Sequence, residues 1–291
     1  MIEAILYKKL EQNRVQCQVC NHRCIIAEGR RGICQVRENQ AGKLYSLVYG
    51  RAITEQVDPI EKKPLYHFLS GTETLSWATL GCNFKCLNCQ NADISQVHPG
   101  ENIVIAGQEL PPEKIIQDAL ANNCPSISYT YTEPTVFLEY ALATMKLASQ
   151  EKLKNIWVTN GYFTEETFDL IKPYLDAANV DLKFFDEKMY RQVCQGQLHP
   201  VLDNLVRLKK NNIHLEVTTL IIPGLTDTND QLEFMARFIY EELGEDTPWH
   251  LSRFHPCYQA LDWPITPLET IEEAVAIGQD HGLKHVYAGN I

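Results

Sequence analysis

The sequence predicts an α/β protein: a partial (β/α)6-type barrel preceded by a small cysteine-rich N-terminal extension. Three observations point there. Short β-branched or aromatic runs alternate with helical segments over the latter part of the chain. The turn chemistry of Leu69-Ser-Gly-Thr-Glu73 separates that body from a head, and seven of the ten cysteines fall into two groups, one on each side of the turn. The boundary gives an extension over 1–70 and a core over 71–291. With 291 residues and 45% apolar composition, the chain can bury a large core.

The strand-like runs are 74–80, 126–131, 156–159, 179–185, 213–222, 249–254 and 284–288. Between them, Pro111-Pro112 opens a helical segment with Ile115, Ile116, Ala119 and Leu120 on one face, and Thr164-Glu-Glu opens another that runs to Lys172. Further helices are expected over 134–149, 201–210, 229–243 and 267–280. About six βα units after the first strand imply parallel strands joined by right-handed crossovers, a partial barrel of the TIM type. Such barrels react at the C-terminal ends of their strands, and the loop after 74–80 sits on that face.

That loop is Gly81-Cys-Asn-Phe-Lys-Cys-Leu-Asn-Cys-Gln-Asn91. Cys82, Cys86 and Cys89 are three thiols within eight residues, and three thiolates cannot close a tetrahedral metal site. A [4Fe–4S] cube wants four ligands, so a loop supplying three leaves one iron open to something that is not protein. A structural zinc site would have to borrow its fourth ligand from elsewhere. Apolar packing does not suit thiols flanked by Asn, Lys and Gln.

Composition narrows the setting. The N-terminus lacks a basic region followed by an apolar run of signal length, and no apolar stretch approaches the roughly 20 residues that span a bilayer, so a cytoplasmic location is expected and no membrane partner. In a reducing compartment the clustered cysteines read as metal ligands and not as disulfides. The formal net charge of −11 disfavours a nucleic-acid partner. Residues 1–50 carry eight Lys/Arg against four acids, so a basic head precedes an acidic body.

The three-then-two spacing of the cysteines resembles the signature of the radical S-adenosylmethionine (SAM) superfamily, and that resemblance implies that the amino and carboxylate groups of SAM complete the cluster. It also implies that later strand ends present polar groups to SAM. Glu133, in Tyr129-Thr-Tyr-Thr-Glu-Pro134, is similar in position to the superfamily's Gly-Gly-Glu element and is expected to accept the methionine ammonium; the other reading is an acid at a helix start. Asn160, in Val158-Thr-Asn-Gly-Tyr162, is a candidate for ribose or carboxylate contact, or a turn residue. Asp181 and Lys183, two apart and so on one face of a strand, would have Lys183 neutralise the SAM carboxylate with Asp181 orienting it, or form an internal ion pair. His255, in Ser252-Arg-Phe-His-Pro256, is expected to face the same site.

More narrowly, Asp58-Pro-Ile-Glu-Lys-Lys-Pro-Leu-Tyr-His67, the stretch from Cys82 to Ser95 and Trp249-His-Leu-Ser-Arg-Phe-His-Pro256 resemble the AmmeMemoRadiSam-system radical SAM enzymes, related to pyruvate formate-lyase activating enzymes. The resemblance implies Memo-like and AMMECR-like partner proteins. Such proteins usually continue into a cysteine-containing tail, whereas this sequence stops at Gly289-Asn-Ile291: either it is truncated or this member dispenses with the tail.

The head holds Cys17-x2-Cys20-x3-Cys24-x9-Cys34, with Gly29 and Gly32 letting the chain turn back. Four thiols match a closed tetrahedral site, and structural zinc is expected, with a second iron–sulfur cluster as the alternative because four thiolates serve both. Arg23, Arg30 and Arg31 would offset thiolate charge or simply form a solvated face. Cys124, Cys194 and Cys257 are expected to pack or sit idle, with Cys194 the one candidate near the site.

The expected function is that of a radical SAM enzyme. An electron carrier such as flavodoxin or ferredoxin reduces the cluster, SAM is cleaved to a 5′-deoxyadenosyl radical, and the radical takes hydrogen from a substrate. The leading alternative is activation of a glycyl-radical enzyme. A non-enzymatic metal-binding interaction module is the rival of another class, against which the three-ligand loop argues.

Overall fold

The computed structural model describes residues 1–97 and 105–291. The head is built from short antiparallel strands: Ile2–Glu3 (β1), Tyr7–Lys9 (β2), Val15–Cys17 (β3), Ile25–Ile26 (β4), Arg37–Gln40 (β5), Lys43–Ser46 (β6) and Arg51–Ala52 (β7). They form the sheets β2-β3-β4 and β1-β6-β5. Val15, Ile26, Val36 and Leu44 are fully covered, and one continuous apolar cluster joins them to Trp77, Tyr129 and Phe137 of the body.

The body is one eight-stranded sheet. Thr54–Pro59 (β8) is its edge and runs antiparallel to Glu73–Ala78 (β9); a two-residue strand Gln108–Glu109 (β10) pairs with β7 instead. From β9 onward the sheet is parallel, through Ser126–Tyr129 (β11), Lys154–Thr159 (β12), Ala177–Asp181 (β13), His214–Ile221 (β14), Trp249–Arg253 (β15) and Val286–Gly289 (β16), each neighbour in sequence also a neighbour in space. The expected run of strands is there, and β8 is an addition: its polar sequence Thr-Glu-Gln-Val-Asp-Pro lacks the alternation that would have marked it. The edge strand of the sheet thus comes from residues on the head side of the turn at 69–73.

Two short turns of helix, Ala92–Ser95 (α1) and Glu187–Met189 (α5), sit in loops; the crossover helices are Pro112–Ala121 (α2), Leu138–Gln150 (α3), Glu165–Ile171 (α4), Leu198–Lys210 (α6), Asn229–Phe238 (α7) and Leu268–Asp280 (α8). Their starts follow local chemistry. Pro112 opens α2, where its missing N–H costs nothing, and the Thr164 hydroxyl accepts the Thr167 N–H to cap α4. Three expectations are corrected. Leu120 is 46% exposed, off the buried face made by Ile115, Ile116 and Ala119. The helix expected over 134–149 begins as a 3-10 turn, Pro134–Phe137, before α3. β13 ends at Asp181, so Lys183 lies in the loop beyond the strand.

Head and body are tied by a buried ion pair. Arg37 donates to both Glu139 oxygens at 3.0 and 2.6 Å and to the Val136 carbonyl at 3.1 Å, with the two side chains 1% and 2% exposed. Among the described residues no helix is long and apolar enough to cross a membrane.

Candidate metal centre on the cysteine loop

β9 leads through Thr79 and Leu80 into Gly81, whose φ of +95° is a conformation that L side chains rarely adopt. Space demands glycine as well: a Cβ there would stand 2.7 Å from the Cys34 carbonyl and 2.8 Å from Val36. The loop is pinned from three sides. Gly81 N–H donates to the Ile94 carbonyl, Lys85 and Leu87 donate to the carbonyls of Cys194 and Val193, and Gln259 donates to the Leu87 carbonyl. Cys82, Cys86 and Cys89 are therefore presented by one loop at the C-terminal end of the first parallel strand, each half-buried.

Each thiol has a polar companion. The Cys82 sulfur accepts the Phe84 N–H at 3.4 Å and lies 3.9 Å from the Asn160 amide nitrogen, and the Cys89 sulfur is 3.0 Å from the Ser95 hydroxyl. The Cys194 thiol hydrogen-bonds Cys86, which pulls the Cys86 pKa down, and Lys183 adds to that. Burial and the nearby charges of Glu133 and Cys86 push Cys82 well above an ordinary thiol. Cys194 packs in the core and, as the one candidate near the site, also touches Cys86, while the Cys257 thiol packs against the core and donates to the Asn88 carbonyl at 3.3 Å, between two of the three loop cysteines. No linear pattern marks either one; chain topology brings them there.

The strand-end residues gather around this loop, with one apart. Glu133 is 2% exposed and receives four donors: Thr135 N–H and hydroxyl, the Thr159 hydroxyl and Asn160 N–H. It caps the Pro134–Phe137 turn, and burial raises its pKa against those donors. The Asn160 amide donates to the Asn83 side chain at 2.7 Å, joining β12 to the cysteine loop. Lys183 and Asp181 are paired at 2.8 Å; burial works against the Lys183 ammonium, but Asp181, Cys86 and Cys194 hold its pKa well above normal. His255 is exposed, its ring 3.5 Å from the Asn290 carbonyl. Beside the loop, His22, Tyr162, Arg191 and residues 195–197 line a cavity of about 220 Å³.

A sequence model of the radical SAM superfamily matches residues 78–239, more than half of the chain, and begins just ahead of this loop. The chain belongs to the radical SAM superfamily. An uncharacterized protein of Methanocaldococcus jannaschii is 46% identical over 291 residues, covering 100% of this chain and 86% of its own. The pyruvate formate-lyase 1-activating enzyme of Escherichia coli K12 is 20% identical over 161 residues, 54% of this chain and 65% of that one. In fold, the chain is similar to a radical SAM methyltransferase from Sphaerobacter thermophilus (TM-score 0.58, 13% identity, 76% of this chain and 67% of that one). As a radical SAM protein it is an enzyme, and the family implies a [4Fe–4S] cluster and SAM.

The residues fit that group. Among the described residues the Lys85 ammonium is buried without a hydrogen-bond partner, and the charges that favour it are those of Cys82, Cys34, Cys86 and Cys89. An ammonium kept dry beside neutral thiols is uncompensated; beside metal-bound thiolates it is paired. Cys82, Cys86 and Cys89 are thus the residues that would hold the cluster.

Proposed function

We propose that this radical SAM enzyme generates a 5′-deoxyadenosyl radical at the C-terminal ends of its parallel strands, curled as a partial barrel, and uses it to remove hydrogen from a substrate. The observation that carries the reading is the three-thiol loop after β9, with Asn160, Glu133, Lys183 and Asp181 in the contact network of its cysteines. The chemistry supplied by a bound cluster and SAM is one-electron cleavage of SAM to methionine and the radical. The chain's own work is to bind, orient and exclude water.

Glu133 offers a carboxylate to the methionine ammonium, and Lys183, held by Asp181, offers a cation to the SAM carboxylate. Asn160 fixes the loop through Asn83, and His255, exposed beside Asn290, lies outside this set. A reduced flavodoxin or ferredoxin supplies the electron in a cytoplasmic setting. The stretches resembling AmmeMemoRadiSam-system enzymes support Memo-like and AMMECR-like proteins as partners. The match to a pyruvate formate-lyase activating enzyme favours a second reading, in which the substrate hydrogen belongs to a glycine of a partner enzyme.

Reconstituted without oxygen and reduced, the protein should convert SAM to 5′-deoxyadenosine slowly even without substrate, and Cys86→Ala should abolish both cluster and turnover. Cleavage at the wild-type rate in that variant would overturn the assignment.

A further inference from the structure

We propose that Ser95, oriented by Gln96, donates a hydrogen bond to the Cys89 thiolate and so raises the reduction potential of the centre that Cys82, Cys86 and Cys89 hold. Ser95 is then a positioning residue that acts through Cys89. The inference rests on the radical SAM reading of the loop.

The cysteine loop runs directly into α1, whose last residue is Ser95. Backbone bonds hold that turn without help from side chains: the Ser95 and Gln96 N–H groups donate to the carbonyls of Asn91 and Ala92, both at 2.9 Å. The Ile94 carbonyl accepts the Gly81 N–H at 2.9 Å, which pins the turn to the start of the loop it follows. Within this frame Ser95 is 2% exposed, and its hydroxyl lies 3.0 Å from the Cys89 sulfur. A helical turn that stands on its backbone has no need of a buried hydroxyl; alanine forms helix better and leaves no polar atom to satisfy. The hydroxyl therefore calls for another account, and the sulfur it faces supplies one.

The direction of the bond follows from its surroundings. A thiolate bound to metal carries no proton, so between the Ser95 oxygen and the Cys89 sulfur only the hydroxyl can donate. Gln96, 8% exposed, sets its amide nitrogen 3.1 Å from the Ser95 oxygen and 3.3 Å from the Phe84 carbonyl. With an amide N–H donated to its oxygen, the Ser95 hydroxyl keeps its own proton for the sulfur and is polarised toward it. The same amide reaches the residue that serves Cys82: Phe84 donates its N–H to the Cys82 sulfur at 3.4 Å while its carbonyl accepts from Gln96. One side-chain amide thus joins the donors to two of the three loop sulfurs.

The consequence is electrostatic. Reduction adds an electron to a centre that already carries the charge of its thiolates, so a donor aimed at a sulfur favours the reduced form more than the oxidised one. Hydrogen bonds to charged acceptors are the stronger kind, and at iron–sulfur centres those to sulfur are among the factors that set the potential. The Phe84 N–H belongs to the backbone and is there whatever its side chain. The Ser95 hydroxyl depends on the side chain, so residue 95 governs how strong a reductant the electron carrier has to be.

Redox titration of the anoxically reconstituted full chain, followed by electron paramagnetic resonance, tests this. Ser95→Ala should keep the wild-type iron and sulfide content and the spectral response to SAM, while the midpoint of the SAM-responsive centre moves to more negative potential. Gln96→Leu, which leaves the hydroxyl but removes the group that orients it, should move the midpoint the same way by a smaller step. A Ser95→Ala protein with full iron and a midpoint unchanged or more positive would overturn the proposal. Should Ser95→Ala lose its iron, Gln96→Leu decides: a negative shift with iron retained sustains the proposal, whereas an unmoved midpoint, or loss of iron there too, would show that the pair only props up the loop. A wild-type centre indifferent to SAM would overturn the radical SAM reading and this inference with it; failure at Ser95 alone differs in that the SAM response persists and only the midpoint stands still.

Discussion

Glu133 shows how a single carboxylate can be busy and still available. Its Oε1 accepts the Thr135 N–H at 3.1 Å and the hydroxyls of Thr135 and Thr159 at 2.5 and 2.7 Å, whereas Oε2 accepts only the Asn160 N–H at 2.8 Å. Two oxygens offer about four lone-pair sites, so Oε2 keeps one open, and the influence of Glu133 on the Cys82 thiol puts that carboxylate beside the loop. Both readings made from sequence, helix-start acid and ammonium acceptor, are compatible with this geometry. Glu133→Gln should retain iron yet weaken SAM binding by about 1.5–3 kcal/mol, ten- to a hundred-fold, since the amide nitrogen would set a donor against the Asn160 N–H and offer nothing to an ammonium. Titration of SAM into the anoxic variant reads this directly. Unchanged affinity with intact iron would move the ammonium site to another strand end, Asp181 being next.

The same carboxylate logic, without a ligand, governs Arg37 and Glu139. Removing one partner of a fully buried pair leaves the other uncompensated, so Glu139→Gln should cost about 3 kcal/mol or more in urea unfolding, and the Ile5 N–H, which also donates to Glu139 at 3.0 Å, would loosen with it. A variant within 1 kcal/mol of wild type, roughly the worth of an exposed pair, would mean that this contact does not join head to body.

Among the elements, α4 carries the clearest local code. The Thr164 hydroxyl caps it by accepting the Thr167 N–H at 3.2 Å and also donates to the Gln18 carbonyl at 2.7 Å, while the Thr167 hydroxyl donates to the Val19 carbonyl at 2.8 Å. One side chain thus starts a helix and holds down the segment between Cys17 and Cys20. Thr164→Ala should cost about 1–2 kcal/mol, more than a cap alone, and Thr164→Ser should recover most of it; equal losses in the two variants would show that the hydroxyl is not the cause. The cap, the Pro112 start and the βα alternation were all legible because they are local or periodic. Other features were not. The sequence expects strand through Tyr131, but β11 ends at Tyr129, and Tyr131, at φ +61°, carries its hydroxyl to Asp58, a contact across 73 residues. Lys183, expected on a strand face, reaches Asp181 from a loop. Cys194 and Cys257 reach the cysteine loop only because strands β13 and β15 end where β9 ends, a fact of sheet order that no sequence window contains. The spacing of Cys82, Cys86 and Cys89 is legible because it is local, whereas the packing of the Cys34 carbonyl against Gly81 is not.

At the scale of the whole molecule, the two ends of the sheet differ in kind. The C-terminal strand ends hold sulfur; the N-terminal ends hold imidazole, with His67, His214 and His285 lining a cavity of about 470 Å³. Next to it Glu216 is fully buried, its four lone pairs taken by the Tyr66 and His67 N–H groups at 3.0 and 2.8 Å and by His214 and His250 at 3.0 and 2.6 Å. Through them it fastens the 60–72 connection beneath the sheet to β14 and β15. Burial alone would raise its pKa, but these donors overcome it and bring it to about 2. Because the folded state holds the proton less tightly than the unfolded chain, this carboxylate adds stability that is fully present above the ordinary carboxylate range and fades as pH falls toward 2. The total is about 3 kcal/mol for a shift of this size. The urea midpoint of the wild-type chain should therefore drop between pH 5 and pH 3 by more than that of Glu216→Gln, whose amide has no proton to gain. Parallel midpoints for the two proteins across that interval would show that Glu216 is not the acid-labile fastening at this end of the sheet.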